Sequence, residues 1–274
     1  MKKILVAFSG SYFPDGALEF AFQLNKTQPI LLTGVFIPQA TYSYLWSAAA
    51  TLGGPVLPPL YEEVTSEVVE ENITKFKSLC ELNNIKYKVH RDVYDFVLPE
   101  LTKESRFADL LILSSEKFYE SLSKEETIDR LKDILQATEC PVLVVPENFK
   151  FPEKNILAYD GSASSVYAIK QFAYLFPELT NNESLLIFSK NEEEAELPYE
   201  TFIEELGNQH YKNLKLLKLK INPKKYFTTW LNQEKNVILV SGSFGRSSVS
   251  QLFRKSFVTE VISEHKLPVF IAHR

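Results

Sequence analysis

One pattern of apolar segments occurs twice in this chain, and the repetition limits the fold more than any other feature. Three segments of the first half recur in the second: Ile4–Ser11 as Asn155–Ser162, Asp109–Ser114 as Asn236–Ser241, and Cys140–Val145 as Leu267–Ala272. The first pair is offset by 155 − 4 = 151 residues and the other two by 236 − 109 = 127. Such self-similarity indicates one structural unit present in two copies. We therefore predict two domains, residues 1–147 and 153–274, joined by a short polar connection.

Both halves alternate strand-like and helix-like segments. Apolar runs predict strands near 3–9, 29–37, 86–91, 109–114, 141–146, 154–160, 183–190, 213–220, 236–241 and 267–273. Helices are predicted near 14–26, 61–83, 94–106 and 122–138, with further helices between the later strands. This alternation is typical of an α/β fold with a doubly wound parallel sheet in each half. In such sheets, ligands bind outside the carboxyl ends of the strands, where the strand order reverses.

The composition narrows the range of partners and compartments. Of the 274 residues, 45% are hydrophobic and 24% are charged, and acidic residues exceed basic ones by 35 − 30 = 5. This balance argues against a nucleic-acid partner, and the apolar run Ile4–Phe8 is too short for a signal peptide or a membrane span. We expect a cytoplasmic protein with no membrane partner. Cys80 and Cys140 belong to no CxxC pair and are expected to be buried small side chains.

The first half contains 151 − 127 = 24 residues that the second half lacks. The clearest candidate for this extra material is residues 38–60, where glycines and prolines are mixed with aromatic residues. As an ordered loop, this insertion would cover a cleft or bind a partner. A surface insertion packed by its own aromatic side chains is the interpretation we favour.

A glycine-containing turn follows an apolar strand near the end of the chain. Ser241–Arg246 comes directly after Asn236–Val240, and helical spacing predicts a helix that begins near Ser256 and ends before Pro268. A strand, a turn with two glycines and a helix start can together bind an anion such as a phosphate through backbone N–H groups. A tight turn that needs glycine only for its dihedral angles is an equally acceptable interpretation.

With these residues in place, the chain resembles a tandem universal stress protein over nearly its full length. Nucleotide-binding members of that family carry Gly, two residues, Gly, nine residues, and then Gly followed by Ser or Thr. Gly242 and Gly245 match the first two glycines, Arg246–Arg254 supply the nine residues, and Ser256 matches the last position. Lys255 stands where the family has its third glycine. The resemblance implies a sheet like that of the adenine nucleotide α-hydrolases in each half.

The resemblance also implies a site for ATP or another adenine nucleotide in the second half, with any Mg²⁺ accompanying the phosphates. Asp160 corresponds to the family's first-strand Asp and is expected on the ribose side. The other candidate binding residues are Gly161, Ser162, Gly242, Gly245, Arg246, Lys255, Ser256 and Phe257. Asp160 has an alternative role as a turn-capping carboxylate before Gly161. Lys255 would either pair with a phosphate or fill the space that glycine leaves to the nucleotide.

The first half lacks most of these nucleotide-binding features. Ser9 stands in place of the Asp, Ser115 and Phe118 replace the loop glycines, and Ile128–Asp129 stands where the second half has its Lys-Ser pair. Bulky side chains would close a phosphate pocket, and the Asp would repel a phosphate. We therefore predict that the first half binds no nucleotide in this way.

Resemblance to the family's dimers implies how the two halves are arranged. The last strands of the two subunits pair in those dimers, so Val142–Val145 should lie beside Val269–Ala272. The halves would then form an internal pseudo-dimer about a pseudo-twofold axis. The exposed edge strands would offer surfaces for a further homodimer.

The function expected from these features is that of a non-catalytic stress-response module that binds an adenine nucleotide and acts through an unknown protein partner. One alternative is an ATP-cleaving or adenylating enzyme of the PP-loop type, because Ser9-Gly10-Ser11 followed by Asp15 partly resembles the loop of those enzymes. The second glycine and the Asp-Ser spacing of that loop are missing. A ligand-free scaffold is the third interpretation. The four histidines are scattered without other ligands at metal-binding spacing, so we expect no metal site.

Overall fold

The computed structural model describes residues 1–9, 12–37, 64–91, 97–116, 131, 133–189, 196–219, 228–231, 233–242, 261–262, 264 and 266–272. The strands are β1 (Lys2–Ser9), β2 (Ile30–Ile37), β3 (Lys86–Arg91), β4 (Leu110–Ser114), β5 (Val142–Val145), β6 (Lys154–Ala158), β7 (Glu183–Ser189), β8 (Asn213–Leu219), β9 (Val237–Gly242) and β10 (Val269–Ala272). The helices are α1 (Asp15–Thr27), α2 (Val64–Leu82), α3 (Val97–Arg106), α4 (Ala163–Leu175), α5 (Glu200–His210) and α6 (Thr228–Leu231). Residues 133–137 are also helical, and Leu179–Asn181 forms a 3-10 turn.

The described strands form one sheet that runs through both halves of the chain. Its order is β3-β2-β1-β4-β5-β10-β9-β6-β7-β8, so the second half presents the strand order of the first half in reverse. Neighbouring strands are parallel, except that β5 and β10 at the centre are antiparallel. The central strands β4, β5 and β10 are buried along their whole length, as expected of parallel strands covered on both faces. The predicted α/β class is confirmed.

The central strand pair joins the two halves through backbone hydrogen bonds. Its register places Val144 opposite Val269, Leu143 opposite Phe270, and Val142 opposite Ile271. Leu143 and Phe270 are also equivalent positions of the sequence repeat, because 270 − 143 = 127. The pairing is therefore symmetric about these two residues, as a local twofold axis requires. The predicted pairing of the last strand of each half is confirmed.

The bounds of the strands agree with the sequence prediction to within about two residues at either end. The agreement arises because most strands are short apolar runs limited by polar or turn-forming residues, whereas the edge strands β3 and β8 mix apolar with charged residues. The helices predicted over 61–83 and 94–106 are observed over Val64–Leu82 and Val97–Arg106, and residues 61–63 and 94–96 lie outside the described residues. The insertion at 38–60 and most of the helix predicted over 122–138 lie outside the described residues.

An aromatic cluster packs the two halves together on one face of the sheet. Phe20 of α1 is fully buried, and its ring centroid lies 5.1 Å from Phe151, 5.7 Å from Phe149 and 6.5 Å from Phe176. Phe176 in turn lies 5.7 Å from Phe270 of β10. Because aromatic rings bury large apolar areas in defined geometries, this cluster fixes the first half against the connection and the second half.

A half-buried lysine adds a polar contact between the halves. Lys2 Nζ donates to the carbonyl of Leu175 at 2.5 Å and to Gln28 Oε1 at 2.7 Å. Gln28 Nε2 also donates to the Leu175 carbonyl, at 3.0 Å. Leu175 ends α4, and the carbonyls at a helix C-terminus carry partial negative charge, so the ammonium group is favourably placed. Burial lowers the pKa of Lys2, and the charge of Asp109 partly opposes this shift.

The two outer edges of the described sheet carry exposed cationic side chains. These are Lys86, Lys88 and Arg91 on β3, and Lys215 and Lys218 on β8. Lysine on an edge strand opposes further strand pairing, because it places like charges at the edge that a second copy would join. Arg91, Lys215 and Lys218 are each paired with a glutamate, which compensates part of this charge. The homodimer expected through these edges stays a prediction.

The sequence predicted buried cysteines and no membrane span. Cys80 and Cys140 are buried and form no disulfide, as predicted. Burial raises the pKa of each thiol to about 12, so neither is a reactive thiolate at neutral pH. Across the residues that the structure describes, no helix combines the length and the apolar character needed to cross a bilayer.

Candidate functional site

The turn between β6 and α4 brings together three of the predicted site residues. Asp160 Oδ1 accepts a hydrogen bond from the N–H of Ser162 at 2.9 Å, and Ser162 Oγ accepts one from the N–H of Ser165 at 3.1 Å. Gly161 has a φ of +79°, a conformation that only glycine adopts without steric cost. Ser162 is therefore the N-cap of α4. The turn-capping role considered for Asp160 is confirmed, and its contact with a ribose stays a prediction.

Gly242 packs directly against the first turn of α4. It is the last residue of β9, paired with Ala272, rather than part of the turn that was predicted to follow the strand. A Cβ atom at this position would lie 2.5 Å from both the carbonyl carbon of Ser164 and the nitrogen of Ser165. The sequence suggested that this glycine lets a ligand approach the backbone. In the structure it lets the helix approach the strand.

The strand order reverses between β6 and β9, so their carboxyl ends form the switch point of the second-half sheet. The chain runs outward from β6 to β7 and β8, and then returns to place β9 on the other side of β6. Ligands bind at such switch points because the connections leave the two strand ends in opposite directions. The N–H groups of Ala163 and Ser164, at the start of α4, have no acceptor among the described residues. Asp160 and Gly242 therefore lie beside this helix start, whose N–H groups are suited to an anionic group of a ligand.

A short segment after β7 covers the turn at Gly161. The hydroxyl of Tyr159 donates to the carbonyl of Pro198 at 2.6 Å, and a Cβ atom at Gly161 would lie 2.6 Å from Pro198 Cβ. Burial, with the charge of Asp160 and the nearby Tyr199, raises the pKa of Tyr159. The sequence assigned no role to this segment, because a contact between residues 39 positions apart leaves no local pattern.

The described part of the site comprises the β6–α4 turn, the start of α4 and the end of β9. Five predicted site residues lie outside the described residues: Gly245, Arg246, Lys255, Ser256 and Phe257. Phe118, Ile128 and Asp129 of the first half also lie outside them. The roles of all eight residues stay predictions. No group of three or more His, Cys, Asp or Glu residues in the described ranges is arranged to hold a metal ion.

In the first half, a carboxylate of the protein itself occupies the strand ends beside α1. Glu147 Oε1 accepts from Ser114 Oγ at 2.5 Å, and Glu147 Oε2 accepts from the N–H of Gly16, in the first turn of α1, at 2.9 Å. Glu116 Oε2 accepts from the N–H of Glu147 and from Ser115 Oγ, both at 2.9 Å. Two carboxylates at this position repel an incoming anion. The absence of a nucleotide from the first half stays a prediction, and these carboxylates give a physical reason for it.

Sequence reasoning missed Glu147 as a functional residue and treated it as the end of the first domain. Its bond to Gly16 joins positions 131 residues apart, so only the folded sheet brings them together. The repeat gives one signal that was available: Glu147 aligns with Arg274, because 274 − 147 = 127. A reversal of charge at equivalent positions is what two halves with different ligand preferences would show.

Replacing Glu147 by alanine should lower the free energy of unfolding by about 1–2 kcal/mol, because Ser114 Oγ and the first turn of α1 lose their acceptor. Glu147→Gln retains an amide oxygen as acceptor and should lose less. Urea unfolding followed by circular dichroism measures both variants. An alanine variant as stable as the original chain would contradict this role for the carboxylate.

The comparisons with known proteins agree on the fold. No protein-family model matches the sequence, and no curated protein matches it either. Among solved structures, the chain is similar to a universal stress protein from Archaeoglobus fulgidus DSM 4304, with a TM-score of 0.68 and 16% identity. That similarity covers 100% of this chain and 96% of the other.

Two structures from Pseudomonas aeruginosa are similar over the whole chain as well. One, from strain UCBPP-PA14, is assigned to the universal stress proteins and has a TM-score of 0.52 with 12% identity, covering 93% of that protein. The other, from strain PAO1, is of unknown function and has a TM-score of 0.52 with 13% identity, covering 92%. At these identities the likeness concerns the fold. Over its full length, the chain has the fold of the universal stress proteins, as the sequence resemblance predicted.

Proposed function

We propose that this chain is a non-catalytic stress-response module that holds one adenine nucleotide, such as ATP, in its second half. The observation that carries the proposal is the switch point between the ends of β6 and β9, beside which lie Asp160, the start of α4 and Gly242. The N–H groups of Ala163 and Ser164, which have no acceptor among the described residues, are suitable donors to a phosphate. The spacing of Gly242, Gly245 and Ser256 in the sequence supports a nucleotide as the ligand.

Asp160 would contact the ribose of the nucleotide, whereas Lys255 and a Mg²⁺ ion would contact its phosphates. Asp160 already binds Ser162 N–H through Oδ1, which leaves Oδ2 to accept from a ribose hydroxyl. Lys255 would place a cation near the phosphates, and Mg²⁺ would arrive with the nucleotide rather than occupy a site of its own. The proposal assigns no catalytic residue. Nucleotide occupancy would instead be read by a protein partner.

We further propose that the two halves are copies of one module with different tasks. The reversed strand order and the symmetric register about Leu143 and Phe270 support this interpretation. Glu147 and Glu116 at the strand ends of the first half support a structural role for that copy. Because only the second half would bind a nucleotide, we expect one bound nucleotide per chain.

A ligand-free scaffold is the competing proposal, and two observations favour it. Asp160 caps a turn and Gly242 admits a helix, so each has a role in the fold that requires no ligand. The competing proposals differ in one measurable property, since only a binding module gives saturable binding of ATP.

Isothermal titration of the full chain with ATP and Mg²⁺, with two variants of Asp160, tests the proposed function. Asp160→Asn retains an oxygen that accepts from Ser162 N–H but loses the charge, and it should weaken ATP binding about tenfold without loss of stability. Asp160→Ala should weaken binding similarly and also lower the free energy of unfolding by about 1 kcal/mol. Glu147→Gln serves as the control and should bind as the original chain does.

Three results of this titration would decide against parts of the proposal. The absence of saturable heat at millimolar ATP would leave the scaffold. Unchanged binding by Asp160→Asn, with weaker binding by Asp160→Ala, would reduce Asp160 to its role in the turn. Weaker binding by Glu147→Gln would place the nucleotide in the first half.

A further inference from the structure

Tyr199 has a backbone conformation that its own contacts do not explain. It lies at the N-cap of α5 with φ of +53° and ψ of +40°, and its side chain makes no capping hydrogen bond. The other non-glycine residues with positive φ in the described ranges are Asn84 and Asn236. Asparagine tolerates this region, whereas a bulky aromatic residue there is an outlier. The side chain is 69% exposed, so burial does not offset the cost.

The preceding residue explains why the backbone is held in this way. Pro198 is fixed at two points, because its carbonyl accepts from the Tyr159 hydroxyl at 2.6 Å and its ring fills the space beside Gly161. The chain must then enter α5 at Glu200, which leaves Tyr199 to make the turn. Tyr199 therefore emerges next to the turn that carries Asp160. Its influence on the pKa of Tyr159, together with that of Asp160, agrees with this proximity.

A second exposed aromatic residue lies in the first turn of α5. Phe202 follows Tyr199 by three residues and is 72% exposed. Both rings stand at the carboxyl-end side of the second-half sheet, since α5 follows the carboxyl end of β7. An exposed aromatic pair beside a candidate nucleotide site presents flat apolar surface where a planar base would lie.

We propose that the ring of Tyr199 is the surface on which the base of the bound nucleotide stacks, with Phe202 extending that surface. This inference rests on the proposed function and adds a residue to the same site. Stacking on an aromatic ring requires a planar ring in the ligand and no particular hydrogen-bond pattern. Tyr199 thus contributes affinity for the base, while Asp160 and the start of α4 contact the polar parts of the ligand. Strained conformations of this kind persist at ligand sites because the surrounding contacts hold them.

Replacing Tyr199 by glycine removes the ring and also relieves the backbone strain at this position, so the variant tests the inference directly. Glycine adopts a positive φ freely, so Tyr199→Gly should raise the melting temperature by about 2 °C. The same variant should bind ATP about tenfold more weakly, because the stacking surface is lost. Tyr199→Phe keeps the ring and should match the original chain in both measurements. Stability and affinity that change in opposite senses would distinguish a ligand-binding role from a structural one.

Titration with ATP and with inorganic tripolyphosphate, which has no base, separates this inference from the proposed function. We expect Tyr199→Gly to lose affinity for ATP while its affinity for tripolyphosphate equals that of the original chain. Equal ATP affinity in both chains would overturn the stacking role and leave the proposed function standing. A parallel loss for both ligands would also overturn it, since the ring would then act on the phosphate site. Binding of neither ligand by the original chain would overturn the proposed function and this inference together.

Discussion

Replacing Phe20 by alanine should lower the free energy of unfolding by about 3–5 kcal/mol, the cost typical of deleting a fully buried aromatic ring. Phe20 is fully buried and contacts Phe149 and Phe151 of the connection and Phe176 of the second half. Its loss leaves a cavity at the point where the halves meet. Urea unfolding followed by circular dichroism should show the decrease as an earlier midpoint.

Phe107→Ala is the matched control for this prediction, because Phe107 also belongs to the first half but is 70% exposed. A change within about 0.5 kcal/mol is expected there. If the two variants were equally stable, the aromatic cluster would not be what holds the halves together. The contact between Lys2 and the end of α4 would then be the next candidate.

Replacing Gly242 by alanine should cost about 3 kcal/mol of stability, at the upper end for inserting an atom into a packed interior. The new Cβ atom would lie 2.5 Å from two backbone atoms of α4, at Ser164 and Ser165. Backbone atoms of a helix cannot rotate away as a flexible side chain can, so the whole first turn of α4 must move. Thermal or urea unfolding measures the loss.

The first half provides a control for Gly242 at the equivalent position. Ser115 aligns with Gly242, because 242 − 115 = 127, and the structure accommodates its side chain. Ser115→Ala removes the hydrogen bond to Glu116 and inserts no atom, so it should cost about 1 kcal/mol. Similar losses at the two positions would contradict the close packing of α4 on β9. The same packing means that a Gly242 variant cannot separate a ligand contact from a structural role.

The strands of this protein were predictable because their signals are local. For example, β3 was predicted over 86–91 and is observed over Lys86–Arg91, and β4 is an uninterrupted apolar run. The pairing of β5 with β10 was also predicted, but it came from resemblance to the family's dimers rather than from the residues themselves. The sequence repeat shows that β5 and β10 are equivalent strands. It does not show that they pair with each other, because that pairing depends on how the two halves pack.

The site was only partly predictable, because its contacts join distant positions. Asp160-Gly161-Ser162 was found as a turn since glycine follows a strand and precedes a helix. For Gly242, the close packing of α4 could not be foreseen, because sequence alone does not say whether a helix or a ligand lies beside a glycine. The contacts of Pro198 with Tyr159 and of Glu147 with Gly16 join positions 39 and 131 residues apart, so no periodic pattern could indicate them.

The central claim is that nucleotide binding belongs to the second half alone, and counting the nucleotides bound per chain tests it most directly. Equilibrium dialysis of the full chain against saturating labelled ATP with Mg²⁺ should give one nucleotide per chain, and the Glu147→Gln variant should give the same value. A value of zero would contradict the nucleotide site at Asp160 and α4. A value of two would contradict a first half closed by Glu147.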